Sequence, residues 1–139
     1  MRADSVQRSA YRTAVKTKSF RDLIVWQKAY QLTREVYAIT KRFPQEETYG
    51  LAQQMRRAAV AIPSNIAEGY GRQSSKEYRQ FLSVAYGSLC ELETQYLLSV
   101  DLGYTSSIEL IETLVKEVGR MLYRMLHPSP ERSPLNAVR

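Results

Sequence analysis

Cysteine is almost absent from this chain: Cys90 is the only one in 139 residues. No internal disulfide can form, and a reduced, cytoplasmic setting is the expectation. Histidine is equally scarce. His127 stands alone before Pro128, without the partners that catalysis or metal binding needs. No apolar run approaches the ~20 residues of a bilayer-spanning helix, so no membrane partner is expected. The basic N-terminal stretch lacks an apolar segment and does not read as a secretory signal. Strand-like alternation is missing throughout. There is no P-loop, since Gly69-Tyr70-Gly71 is too short and follows a helical pattern. Glu-x-x-His pairs, which build di-metal centres between helices, are missing too. The expectation is therefore a protein that is not an enzyme, with no catalytic residue, no metal and no cofactor.

What is present is an apolar fraction of 44%, enough for one core in one domain. The net charge of +6 is unevenly spread. Residues 1–21 carry Arg2, Arg8, Arg12, Lys16, Lys18 and Arg21 against Asp4, a local excess of +5. Residues 45–127 sum to −2. A basic arm on a near-neutral body points to a polyanion partner, RNA or DNA, or else to a merely solvated tail. The division read from this is a flexible arm at 1–19, a helical domain at 20–127 and a disordered tail at 128–139.

Four segments of the domain show helical periodicity. The first is expected over 22–42, opened by Ser19-x-x-Asp22 and stopped by Phe43-Pro44. Its core stripe reads as Leu23, Trp26, Tyr30, Thr33, Tyr37 and Thr40. The second is expected over 46–70, with Leu51, Met55, Ala58, Ile62 and Ile66 inward, a bend at Pro63 and stops at Gly69 and Gly71. The third starts at a capping box, Ser74-x-x-Glu77, and runs to about 102 on a seam of Tyr78, Leu82, Ala85, Leu89, Leu92, Tyr96 and Ser99. Beside it lies a stripe of small residues, Ser83, Gly87, Cys90 and Thr94. Gly87 predicts a close backbone approach there, and Cys90 reads as a buried packing residue. The fourth opens at Ser106-x-x-Glu109. Its seam is Ile108, Ile111, Val115, Val118, Leu122 and Met125, with Leu110, Leu114 and Met121 alongside. Short loops between four helices argue for an all-α, antiparallel up-down-up-down four-helix bundle. The surplus apolar surface on the last two helices argues for a subunit interface, hence a homo-oligomer.

The second helix also carries a polar stripe. Arg57, Ala61, Ser64 and Glu68 recur at i, i+4, i+7 and i+11, flanked by Gln54 and Asn65. Gln54, Ser64, Asn65 and Glu68 read as a hydrogen-bonded structural stripe or a subunit contact. Arg56, Arg57 and Arg72 also suit phosphate, whose geometry guanidinium matches. The candidate nucleic-acid-binding set is then Arg8, Arg12, Lys16, Lys18, Arg21, Arg56, Arg57 and Arg72.

Several pieces taken together resemble a known family. They are Asp22-Leu23-Ile24-Val25-Trp26-Gln27-Lys28-Ala29, Gln54-Met55-Arg56-Arg57-Ala58-Ala59-Val60, Ile62-Pro63-Ser64-Asn65-Ile66-Ala67-Glu68-Gly69 and Glu91-Leu92-Glu93-Thr94-Gln95. The chain is similar, over about residues 20–126, to the four-helix bundle proteins encoded in intervening sequences of bacterial large-subunit (23S) ribosomal RNA genes. That resemblance implies a homopentamer without enzymatic activity. The family is in turn similar to the accessory protein of diversity-generating retroelements. This implies nucleic acid and a reverse transcriptase, or another ribonucleoprotein component, as partners. A protein-interaction adaptor without direct nucleic-acid contact is the alternative expectation.

Overall fold

The computed structural model describes residues 18–128. Arg8, Arg12 and Lys16 of the arm, and the tail from residue 129, lie outside the described residues. Four α-helices carry the structure: α1 (Ile24–Thr40), α2 (Leu51–Tyr70), α3 (Ser75–Asp101) and α4 (Glu109–Leu126). Two single 3-10 turns, Phe20–Asp22 and Gln45–Glu47, precede α1 and α2. No strand occurs among the described residues. Each helix packs on the next, and α4 returns to α1, so the four surround one core.

Local chemistry sets the helix ends. Ser19 and Asp22 do form a capping box, yet it closes only the 3-10 turn. Extended backbone at Leu23 then delays α1 to Ile24, later than expected. Gly50 breaks the chain between the second 3-10 turn and α2, which therefore starts at Leu51 rather than near residue 46. The Glu47 carboxylate accepts from Leu51 N at 3.0 Å and caps that start. Ser74 accepts from Glu77 N at 3.1 Å, as the motif predicts. Beyond α3, Gly103 sits at φ +78°, a conformation that favours glycine. The Ser106 capping box does not form: the N-cap of α4 is Ile108. The Tyr96 hydroxyl accepts from Ile108 N at 2.7 Å and donates to Glu112 at 2.9 Å, while Ser107 donates to the same carboxylate. A side chain from α3 thus anchors the start of α4.

Pro63 lies inside α2 without ending it. Its missing N–H leaves the carbonyl of Ala59, four residues back, without its helical donor. The Thr33 hydroxyl of α1 reaches that carbonyl at 3.0 Å, sharing its proton with Ala29 O at 2.9 Å. The proline is accommodated by a donor from the neighbouring helix.

The core confirms three helices and corrects one. On α2, Met55, Ala58, Ile62 and Ile66 are buried; on α3, Leu82, Ala85, Leu89, Leu92, Tyr96 and Ser99; on α4, Ile111, Leu114, Val115, Val118 and Leu122. On α1 the buried stripe is Val25, Ala29, Leu32, Val36 and Thr40. Tyr30 and Tyr37 are exposed, and Trp26 is half-buried between Phe20 and Tyr30. The two stripes differ by one residue, a rotation of about 100°. Val25, Ala29, Leu32 and Val36 take the core because they have no hydroxyl to keep wet, and the Thr40 hydroxyl is satisfied by Val36 O. Gly69, expected as a stop, is a packing residue. A Cβ there lies 2.8 Å from Phe81 Cβ and 3.2 Å from the Tyr78 carbonyl oxygen. Gly87, by contrast, has nothing within 4 Å of a Cβ, and Cys90 is exposed; both readings are corrected for the single chain. Val84, Leu97 and Leu98 of α3, Leu102 just after it and Leu110 of α4 also stand exposed.

Candidate functional site

The rotation of α1 puts a different stripe in solvent. Tyr30, Arg34, Tyr37 and Lys41 recur at i, i+4, i+7 and i+11 and are all exposed. The stripe borders α2, and between the two helices lies an open cleft of about 670 Å³. Tyr37 lines it from α1, Thr48 and Tyr49 from the connection, and Gln53, Arg56, Arg57, Val60 and Ala61 from α2.

Arg56 is held from two sides. Its Nε donates to Thr40 Oγ1 at 2.8 Å, and its guanidinium lies 5.0 Å from the centroid of the Tyr37 ring. Thr40, buried, passes its own proton to Val36 O at 2.7 Å. The contacts that fix Arg56 are an uncharged oxygen and a π-face, so its charge stays uncompensated. Neither Arg56 nor the exposed Arg57 is ion-paired among the described residues. Such a site favours an anion, and its aromatic lining favours a flat partner beside the charge.

The other candidates fall elsewhere. Arg72 is engaged within the chain, with Glu68 Oε2 at 2.9 Å from its guanidinium and the Phe81 ring 4.7 Å away. It lies beyond Tyr70, the last residue of α2, which is itself about 21 Å of helical rise from Arg56. Lys18 and Arg21 are exposed at the turn before α1, at the opposite end of that helix from Thr40. Of the described members of the basic set, only Arg56 and Arg57 come together. Of the polar stripe, Gln54 and Ser64 are exposed, Asn65 donates to Ala61 O of its own helix at 2.7 Å, and Glu68 holds Arg72. Among the described residues, the buried Gln95 Oε1 of α3 lacks a partner.

Tyr49, Gln53, Thr48 and the Arg34–Lys41 stripe are not among the site residues expected from the sequence. The stripe has a sequence signal, a basic-aromatic period on α1, which is masked because tyrosine fits an apolar period as well. Perturbed ionisation occurs away from the cleft. Burial, foremost, pushes the Tyr96 hydroxyl up. A hydrogen bond from Ser107, then one from Tyr96, holds Glu112 below its ordinary value. The Tyr104 hydroxyl is pushed up, chiefly by the hydrogen bond it donates to Glu47. Tyr96 and Glu112 tie α3 to the start of α4, and Tyr104 ties the α3–α4 connection to the turn before α2. Among the described residues no group of three or more His, Cys, Asp or Glu side chains could hold a metal ion. No helix among them is long and apolar enough to cross a membrane.

Compared with known families, the chain matches the model of the 23S rRNA-intervening sequence protein over residues 21–124. The match takes in α1, α2, α3 and all but the last two residues of α4, with both cleft arginines and the Pro63 segment. It is a family of small helical proteins and not a recognised enzyme family. No curated protein matches the chain.

Proposed function

The chain belongs to the 23S rRNA-intervening sequence protein family, and we propose that it is a non-enzymatic, homo-oligomeric scaffold that binds structured RNA or DNA through phosphate contacts. The observation that carries this reading is the α1–α2 cleft, where Arg56 is fixed without a counter-ion beside Arg57. A phosphate supplies the charge that this pair lacks, and such contacts position a nucleic acid without reading its sequence. The basic arm adds a second, separate set of contacts.

The assembly in this reading is a pentamer of up-down-up-down bundles. The order of cross-helix contacts supports the antiparallel course: Thr40 meets Arg56 while Thr33 meets Ala59, and Tyr96 meets Glu112 while Leu89 lies beside Gly119. The exposed apolar residues of α3 support a partner surface. A fivefold assembly repeats the cleft and the arm five times, which raises affinity without new chemistry. A reverse transcriptase or another ribonucleoprotein component fits as a further partner in the cytoplasm.

Binding of a labelled RNA hairpin and a labelled DNA duplex tests the reading. The native chain is compared with an Arg56→Ala, Arg57→Ala double variant and with a chain lacking residues 1–19. Each change weakens binding of both ligands. If neither does so in a folded protein, these surfaces are not the contact. The adaptor alternative draws on the same exposed apolar residues, Val84, Leu97 and Leu98 of α3 and Leu102 just beyond it. It is favoured if a protein partner stays bound regardless of salt while RNA and DNA do not bind.

A further inference from the structure

We infer that the α1–α2 cleft accepts an unpaired nucleotide, its phosphate on Arg56 and Arg57 and its base against the ring of Tyr49. The inference rests on the nucleic-acid reading above and specifies what that site takes.

Two chemistries meet in this cleft, and only one of them concerns charge. Arg56 and Arg57 suit any phosphate. Tyr49 does not need one, yet it is 88% exposed and makes no hydrogen bond or ring contact among the described residues. Val60, on the same lining, is 40% exposed. A large ring and a branched aliphatic side chain left in water beside two uncompensated cations lack a flat, apolar cover. The exposed base of a nucleotide supplies that cover, and its phosphate supplies the anion.

A duplex supplies only half of this. Its bases are stacked on one another, so its phosphates can reach the arginines while Tyr49 stays bare. An unpaired nucleotide in a loop, bulge or single strand offers a free π-face to the ring as well. The volume agrees: about 670 Å³ lies within the ~300–1,000 Å³ typical of sites for small organic groups. Thr48 and Gln53 line the same cleft with a hydroxyl and an amide. Each can donate and accept, so the pair tolerates more than one base edge. The site is read as selective for unpaired structure and tolerant of base identity.

The test uses fluorescence anisotropy with the full chain and two labelled RNAs, one single-stranded and one duplex, each about twelve nucleotides long. The native protein binds the single strand more tightly. Tyr49→Ala lowers single-strand affinity roughly tenfold and leaves duplex affinity within about twofold, because stacking is lost and phosphate contact is not. Tyr49→Phe keeps the native preference, since the ring rather than the hydroxyl acts. Tyr49 is so exposed that neither variant threatens the fold. Equal affinity for the two RNAs, or a Tyr49→Ala variant that binds single strand like the native chain, overturns this inference and leaves phosphate binding standing. Absence of binding to either RNA at low salt overturns both.

Discussion

Gly69→Ala and Gly87→Ala are the same chemical change in two helices, and the structure assigns them opposite signs. An alanine in a helix interior is favoured over glycine by about 1 kcal/mol, through backbone entropy. At Gly87 nothing opposes this gain, since a Cβ meets nothing within 4 Å. At Gly69 the Cβ arrives 2.8 Å from Phe81 Cβ, 3.0 Å from Tyr78 Cδ1 and 3.2 Å from Tyr78 O. The first and last of these are stiff: a Cβ fixed to α3 and a backbone oxygen. Relief requires α2 and α3 to separate, and overpacking of this kind costs typically ~1–3 kcal/mol. The contact distances place the cost in the upper half of that range. After subtracting the propensity gain, Gly69→Ala destabilises by about 1–2 kcal/mol. Gly87→Ala stabilises by about 0.5–1 kcal/mol. At roughly 4 °C per kcal/mol for a domain of this size, melting temperatures move by about −4 to −8 °C and +2 to +4 °C. Circular dichroism against temperature and urea, at one protein concentration, measures both. A Gly69→Ala protein as stable as the native chain would refute the close α2–α3 approach.

Further outcomes follow from the same contacts. Thr33→Val removes the donor that reaches Ala59 O and leaves a part-buried carbonyl unpaired, at a cost of about 1–3 kcal/mol in urea unfolding. Thr33→Ser keeps the hydroxyl and recovers most of it; equal losses would show that the bond is irrelevant. Glu112 has a folded pKa below its ordinary 4.5. Its stabilising contribution is therefore complete above pH 4.5 and is lost as pH falls through the folded value. Glu112→Gln flattens the acid limb of the stability profile below pH 4.5 and leaves the limb near pH 7 parallel to the native one; an unchanged acid limb would contradict this. Thr40→Val frees Arg56 from its anchor, so phosphate binding weakens although no charge is removed. If binding is unchanged, the fixing of Arg56 does not matter.

Much of the fold is legible in the sequence, for a simple reason. On α2, α3 and α4 the aliphatic residues at helical spacing are also the residues that become buried, so period and core coincide. On α1 they do not. Tyrosine satisfies the period as well as leucine does, and only packing decides that Val25, Ala29, Leu32 and Val36 go inward. That single rotation hid the cleft, because Tyr37 read as core is unavailable to Arg56. Arg56 and Arg57 were legible as a basic pair. Their setting was not, since Thr40 and Arg56 are brought together only by the turn across residues 41–50. Gly87 and Cys90 read as buried because small residues in a helix usually have a neighbour; within one chain these have none. The Ser106 motif was displaced by Tyr96, a long-range competitor that no local window contains.

The most direct test of the central claim is the salt dependence of binding to a labelled structured RNA by the full chain. Phosphate contacts release counterions, so the log of the binding constant falls linearly with the log of salt concentration. The account predicts a steep slope, reduced by about one for each cleft arginine replaced by alanine in a chain. A folded protein that shows no binding at low salt, or binding indifferent to salt, would contradict it.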